Sequence, residues 1–279
     1  MRYWVDDRLV EAEEARVSVL DHGFTVADGV FETLKVVAGT PFALSRHLRR
    51  LATSAAGLGL PAPDEALVRE AVGAVCAANA DEVGQLGRLR ITCSAGPAPL
   101  GSERGSQGTT LVVAEAAGAR WPSSAAVSVV PWTRNERSAV VGLKTTSYAE
   151  NVVALAAAKA QGSSEAVLAN TRGELCEGTG SNVFVAMAGE VLTPPLESGA
   201  LAGITRELVL EWTDAREETL PVEVLREADE VFLTSSTRDV QAVHAVRWGD
   251  EDVLLPLPGP LTTQIEAAFL SRAAADLDP

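Results

Sequence analysis

Lysine is scarce in this chain. Of its 23 basic residues only Lys35, Lys144 and Lys159 are lysines, and all the others are arginines. Histidine and cysteine are as sparse, at three each. His22, His47 and His244 are scattered, which gives no basis for a histidine-built zinc site or a catalytic triad. Cys76, Cys93 and Cys176 are odd in number and lack metal-ligand spacing. They read as buried thiols in a reduced compartment, with no metal site expected. No run approaches the roughly eighteen apolar residues of a membrane span. The first stretch, MRYWVDDRLVEAEEARVSVLD, is charged from the start and lacks the apolar segment of a signal peptide, so the expectation is a cytoplasmic protein. Positive charge is short overall. A formal net charge of −15 argues against nucleic acid or an anionic membrane as a partner. It does not argue against a locally basic pocket for a small substrate.

What remains is an ordinary globular composition. The chain has 279 residues, 47% hydrophobic and 22% charged, enough for one large domain or two small ones with real cores. Residues 1–115 mix alternating strands with helical stretches, as one α/β domain. Hairpins are predicted at RYWVDDRLV and ETLKVVAGTPFAL, with turns at Asp6-Asp7 and Gly39-Thr40. SRHLRRLATSAAGLGL predicts a helix stopped by Gly57 and Gly59, and Asp64 an N-cap for the next. Residues 116–124, AAGARWPSS, read as a connector, and residues 125–279 as a second α/β domain. There Ser147 and Glu150 fit a capping box, which predicts a helix from about Tyr148 to Gly162. Lys144 then precedes that helix by one turn, at the end of an extended segment.

That placement matters because lysine can do what arginine cannot. Its amine, once desolvated, can lose a proton and attack a carbonyl. The commonest carbonyl partner is pyridoxal 5'-phosphate, which needs three further things from a protein. A carboxylate must hold the ring nitrogen's proton. A helix N-terminus, hydroxyls and usually an arginine must hold the phosphate. Walls must exclude water. Glu177, in the small-residue turn CEGTGSN, is a candidate carboxylate. Gly203-Ile204-Thr205 opens a helix with a hydroxyl, Ser235 and Ser236 end the strand EVFLTSS, and Arg50 lies on the helix SRHLRRL. Taken singly, each has a plainer use: a turn residue, an ordinary helix start, a loop, a solvated helix face. Their order along the chain is what gives them weight.

DHGFTVADGVFET, HLRRL, GLKTTSYAENV, EAVLANTRGELCEGTGSNVFV, LTPPLESGALAGITR and ADEVFLTSS, in this order and spacing, resemble the fold type IV pyridoxal-phosphate enzymes, the class IV aminotransferase family. The resemblance covers nearly the whole chain. It implies two α/β domains, the second barrel-like, with the cofactor between them. It implies that Lys144 holds the cofactor covalently and serves as general base and acid. Glu177 would pair with the ring nitrogen. Arg50, the backbone N–H groups of Ile204 and Thr205, and Ser236 would bind the phosphate, and Tyr148 would lie near the phenolic oxygen. It also implies a homodimer in which a neighbouring chain contributes to each active-site mouth. A complete set of Lys144, Glu177 and Arg50 leaves little room for a cofactor-free scaffold.

Within the family two outcomes compete. One is 4-amino-4-deoxychorismate lyase, which expels pyruvate and leaves 4-aminobenzoate. The other is transamination of a branched-chain or D-amino acid. RNERSAVVGLK resembles the lyases' approach to their lysine, and VADGVFET lacks the aromatic, glycine-bearing form common in branched-chain aminotransferases. Against the lyase, Ala95 stands where lyases often carry an arginine. Arg90 and Arg104 are candidate contacts for a substrate carboxylate, on an amine or amino acid substrate.

Overall fold

The alternating pattern of the first third becomes six antiparallel strands. The structure is a computed structural model that describes every residue except Gln107 and Pro258. The chain clusters into two compact units. The first comprises Met1–Ala119, Leu143–Ser147 and Asp276–Pro279, and the second Arg120–Gly142 and Tyr148–Ala275.

The first unit holds β1 (Arg2–Val5), β2 (Arg8–Glu11), the short helix α1 (His22–Thr25), β3 (Gly29–Val37), β4 (Thr40–Pro41), α2 (Leu44–Leu58), α3 (Glu65–Val83), β5 (Leu86–Ser94) and β6 (Thr110–Ala117). The sheet order is β2-β1-β6-β5-β3-β4. Helix α2 packs on β3, and α3 on β6 and β1. Side chains alternate across a strand. The helix-covered face of β3 and β5 therefore carries Val30, Leu34, Val36, Leu89 and Ile91, all in the first core. Asp64 caps α3, accepting from the N–H groups of Ala66 and Leu67. The turn between β3 and β4 falls at Ala38-Gly39, one residue earlier than the sequence pattern predicts, with both residues at positive φ. Gly57 does not stop α2, which runs through it to Leu58 and ends on Gly59 in the left-handed region. Its lack of a side chain has another use: a Cβ there would lie 2.6 Å from Leu143 Cδ2.

The second unit holds β7 (Ser124–Arg134), α4 (Ala149–Ala160), β8 (Glu165–Asn170), β9 (Leu175–Gly178), β10 (Asn182–Met187), β11 (Glu190–Thr193), α5 (Ile204–Trp212), β12 (Arg216–Glu217), β13 (Glu230–Ser235), β14 (Asp239–Trp248), β15 (Glu251–Leu254) and α6 (Pro260–Ala275). Eight strands run β12-β11-β10-β13-β14-β7-β8-β9, and β15 pairs with β14. Pairing is parallel for β14–β7, β7–β8 and β11–β12, and antiparallel elsewhere. Helix α4 packs on β7 and β8, and α6 on β13 and β14. The strands β8, β9 and β10 are buried almost throughout, as expected of strands covered on both faces. All three cysteines are buried, and burial leads in pushing each thiol up to about 12. Among the described residues no helix is long and apolar enough to cross a membrane.

Two segments depart from the division at residues 116–124. Leu143–Ser147 groups with the first unit because it covers the free edge at the start of β3. Phe31 N–H donates to Lys144 O at 3.0 Å, Thr146 N–H to Gly29 O at 2.8 Å, and Val30 bridges Thr145. Asp276–Pro279 also joins it, since Asp278 accepts from Ser45 N–H at 2.7 Å and Leu277 O from Ala43 N–H at 2.6 Å. This supplies the start of α2 with a cap that its own N-cap residue, Ala43, lacks. The capping box at Ser147 does not form. Ser147 Oγ donates to Ala27 O at 3.4 Å instead, and α4 begins at Ala149 with Tyr148 as an N-cap that makes no side-chain cap bond.

Candidate active site

The residues singled out from the sequence fall into two groups, one in each unit. In the first, both backbone polar groups of Lys144 are engaged. Its O accepts from Phe31 N–H, and its N–H donates to Ser54 Oγ on α2 at 3.1 Å. The position is thereby fixed by a strand edge and a helix, not by the helix that follows it. Lys144 Nζ lies 4.3 Å from the centre of the Phe31 ring, and the Arg90 guanidinium 3.7 Å from the same ring. Two cations share one aromatic side chain. Arg90 Nε also donates to Thr92 Oγ1 at 3.2 Å. Arg104 is held elsewhere: it grips both oxygens of Asp28 at 2.7 and 2.8 Å and donates to Leu58 O and Gly59 O, tying residues 104, 28 and the end of α2 together.

Arg50 meets a partner that the sequence reading missed. Its Nε donates to Glu32 Oε1 at 2.7 Å and its Nη2 to Oε2 at 2.6 Å. His47 Nδ1 lies 2.6 Å from the same Oε2. A signal was there to read, since Val30, Glu32, Leu34 and Val36 alternate as a core face with one carboxylate in it. Burial alone would push the Glu32 carboxyl up, but Arg50 and His47 outweigh it and set the pKa at about 2. Burial, aided by Arg50 and Lys144 and opposed by Glu32, pushes His47 below its ordinary 6.5. Both shifts have the same sign for stability. Glu32 contributes stability above its ordinary value of 4.5 that is lost as the pH falls towards 2. His47 resists protonation in the fold, so stability also falls as the pH drops below 6.5. The melting temperature should therefore decline from about pH 6.5 downward, and His47→Gln should flatten the upper part of that decline. A wild-type melting temperature that is flat down to pH 4.5 would contradict this.

In the second unit Glu177 sits on strand β9, not in the turn that follows. Its Oε2 accepts from Leu201 N–H at 2.9 Å, and its Oε1 lies 3.1 Å from Arg134 Nε at the end of β7. Arg134 Nη1 donates to Asn151 Oδ1 at 3.3 Å, and Asn151 Nδ2 to Thr179 O at 2.5 Å. The carboxylate is thus braced by a helix start, a strand end and a loop. Leu201 leads directly to Gly203, the N-cap of α5, where no side chain caps the helix. A Cβ at residue 203 would overlap Asn182 Oδ1. Asn182 Nδ2 donates to Leu201 O at 2.8 Å. Asn182 is paired with Thr234 across β10 and β13, so their side chains share a face. Ser235 and Ser236 follow directly.

This arrangement fits a phosphate. Ile204 and Thr205 are buried at a helix start without a side-chain cap, so its N–H groups are open to an anion. Thr234 Oγ1 is also buried and, among the described residues, has no hydrogen-bond partner. Thr234 and Asn182 went unnoticed as site residues in the sequence, and Arg134 entered only as the first residue of RNERSAVVGLK, with no partner assigned. Their partners are set by sheet register and loop closure, which no local pattern encodes. Tyr148 is partly buried at the N-cap of α4.

Comparison with known proteins gives a consistent picture. The family described as amino-transferase class IV matches residues 29–246. The D-alanine aminotransferase of Bacillus licheniformis is 29% identical, over 96% of each chain. The bifunctional aminodeoxychorismate lyase / D-amino acid transaminase of Mycobacterium tuberculosis is 32% identical, over 88% of this chain and 90% of that one. Among solved structures, the branched-chain aminotransferase of Thermoproteus uzoniensis, crystallised with norvaline, superposes with a TM-score of 0.86 at 28% identity, covering 97% of this chain and 93% of its own.

Proposed function

This chain belongs to the class IV aminotransferase family of pyridoxal-phosphate-dependent enzymes, and from that footing we propose that it is a 4-amino-4-deoxychorismate lyase, releasing pyruvate and 4-aminobenzoate. The observation that carries an amine chemistry is Lys144, with both backbone groups held and its Nζ against the same ring as Arg90. When bound, pyridoxal phosphate supplies an aldehyde that captures the substrate amine and a ring that draws electrons from the adjacent carbon. Lys144 Nζ would take the proton from that carbon. Glu177, braced by Arg134 and Leu201, would hold a proton on the ring nitrogen. Arg50, Ile204 N–H, Thr205 N–H and Ser236 would hold the phosphate, with Thr234 Oγ1 as a further donor. Tyr148 would be placed against the phenolic oxygen. Arg90, steadied over Phe31, is the stronger candidate for a substrate carboxylate, because the donors of Arg104 are directed at Asp28 and two backbone carbonyls.

The run from Arg134-Asn135 to Gly142-Leu143-Lys144 and the likeness to the bifunctional mycobacterial enzyme support the lyase. The likeness to D-alanine aminotransferases across 96% of the chain supports a second reading, transamination of an amino acid. The two differ in what they consume. A lyase would need no keto acid, because the amino group leaves on 4-aminobenzoate and aromatisation drives the loss of pyruvate. A transaminase stops after one half-reaction until a keto acid arrives. Aminodeoxychorismate alone should give pyruvate and 4-aminobenzoate in equal amounts over many turnovers. No product from it, beside brisk exchange between amino and keto acids, would decide for the transaminase.

We also propose a homodimer. Val19, Phe24 and Leu100 are 75%, 77% and 78% exposed, on two segments that are joined where Asp21 bridges Pro97 and Ala98 N–H donates to Leu20 O. Such a patch marks an interaction surface. Light scattering should report twice the chain mass, and Phe24→Asp should shift it towards the monomer. A monomeric wild type would end the proposal.

A further inference from the structure

The carboxylate of Glu32 stands on the core face of β3, between Val30 and Leu34 and opposite Ile91, with no exposed surface. A buried ion pair there gives the fold no stability that a well-packed apolar side chain would not give. Both of its oxygens are engaged: Oε1 by Arg50 Nε, and Oε2 by Arg50 Nη2 and His47 Nδ1. His47 and Arg50 are three positions apart on α2, so one helix face delivers both. A guanidinium is planar and rigid. Two of its nitrogens bound side by side to one carboxylate fix its plane and the direction of its remaining edge. A long side chain without such a brace would have to be ordered when its ligand binds, at an entropic cost.

We propose that Glu32, itself steadied by His47, is the positioning residue for Arg50 and holds its guanidinium in the orientation that meets the cofactor's phosphate. The proposal rests on the reading of Arg50 as a phosphate contact. Glu32 does not touch the cofactor and acts only through Arg50, which separates this role from a purely structural ion pair: it concerns the phosphate and nothing else on the ligand.

The test is a double-mutant cycle on binding. The full-length chain is freed of cofactor and titrated with pyridoxal 5'-phosphate and with pyridoxal, which lacks the phosphate. Glu32→Gln should weaken the phosphate-bearing form about ten- to hundredfold and leave pyridoxal unchanged. Arg50→Ala should lose at least as much, and the double variant no more than Arg50→Ala alone. Full affinity in Glu32→Gln beside a loss in Arg50→Ala would overturn the proposal and leave the Arg50 reading standing. Equal losses for both ligands would show that Glu32 serves the fold, and additive losses in the double variant that it acts by another route; either overturns the proposal. Full affinity in Arg50→Ala would overturn the phosphate contact and the proposal with it. Should Glu32→Gln fail to fold, His47→Gln decides: a loss confined to the phosphate-bearing form supports the brace, and no loss overturns it.

Discussion

Borohydride reduction of the loaded enzyme, followed by peptide mapping, should place the cofactor on Lys144 and on neither Lys35 nor Lys159. Each of the other two lysines has a different setting. Lys35 Nζ lies 4.9 Å from the ring of Phe42, and Lys159 is in the last turn of α4. Lys144 alone is held by a strand edge and a helix, with its amine against Phe31. The informative substitution is Lys144→Arg. It keeps a cation over the aromatic ring and so changes little in local packing or charge, but it removes the nucleophile and the proton acceptor together. Turnover should fall by roughly four orders of magnitude, the covalent label should vanish, and the melting temperature should move little. A label on Lys35 or Lys159, or appreciable turnover in Lys144→Arg, would refute the assignment.

The elements of this fold were largely legible because their signals are local. Alternation gave β3, β5 and β6, Asp64 gave the start of α3, and Gly203 the start of α5. Local signals failed where the tertiary structure had a competing use for the same residues. Ser147 and Glu150 match a capping box, but Ser147 belongs to the segment that closes the edge of β3, and its hydroxyl is drawn to Ala27 O. Gly57 reads as a helix stop, yet it is small because Leu143 packs against it just before the lysine. Arg104 reads as a candidate contact for a substrate carboxylate, while Asp28, 76 positions away, holds it. The candidate site divides in the same way. Its individual residues stand out by type and motif. The partners that orient them, Glu32 for Arg50 and Arg134 for Glu177, are set by register and loop closure: a lone carboxylate on the core face of β3 marks Glu32 as unusual, but no local pattern says which side chain it or Arg134 meets.

That second pair sets the other large effect. Glu177 receives a backbone N–H from Leu201 on one oxygen and faces Arg134 with the other. A carboxylate suits both neighbours, because it accepts from the N–H and pairs by charge with the guanidinium. In Glu177→Gln the amide oxygen can still accept from Leu201 N–H, but only with its NH2 turned towards the Arg134 guanidinium. The variant therefore loses the charge that would keep a proton on the cofactor's ring nitrogen, and it also removes the anion that pairs with Arg134. Turnover should fall by about two to four orders of magnitude, whereas cofactor affinity, which on the proposed reading would rest mainly on phosphate contacts at the start of α5, should fall much less. Arg134→Gln removes only the brace and leaves the carboxylate in place, so its loss in turnover should be smaller than that of Glu177→Gln. Normal activity in Glu177→Gln would place the proton-holding carboxylate elsewhere. An Arg134→Gln enzyme as impaired as Glu177→Gln would mean that the charge of Glu177 has no function apart from its contact with Arg134.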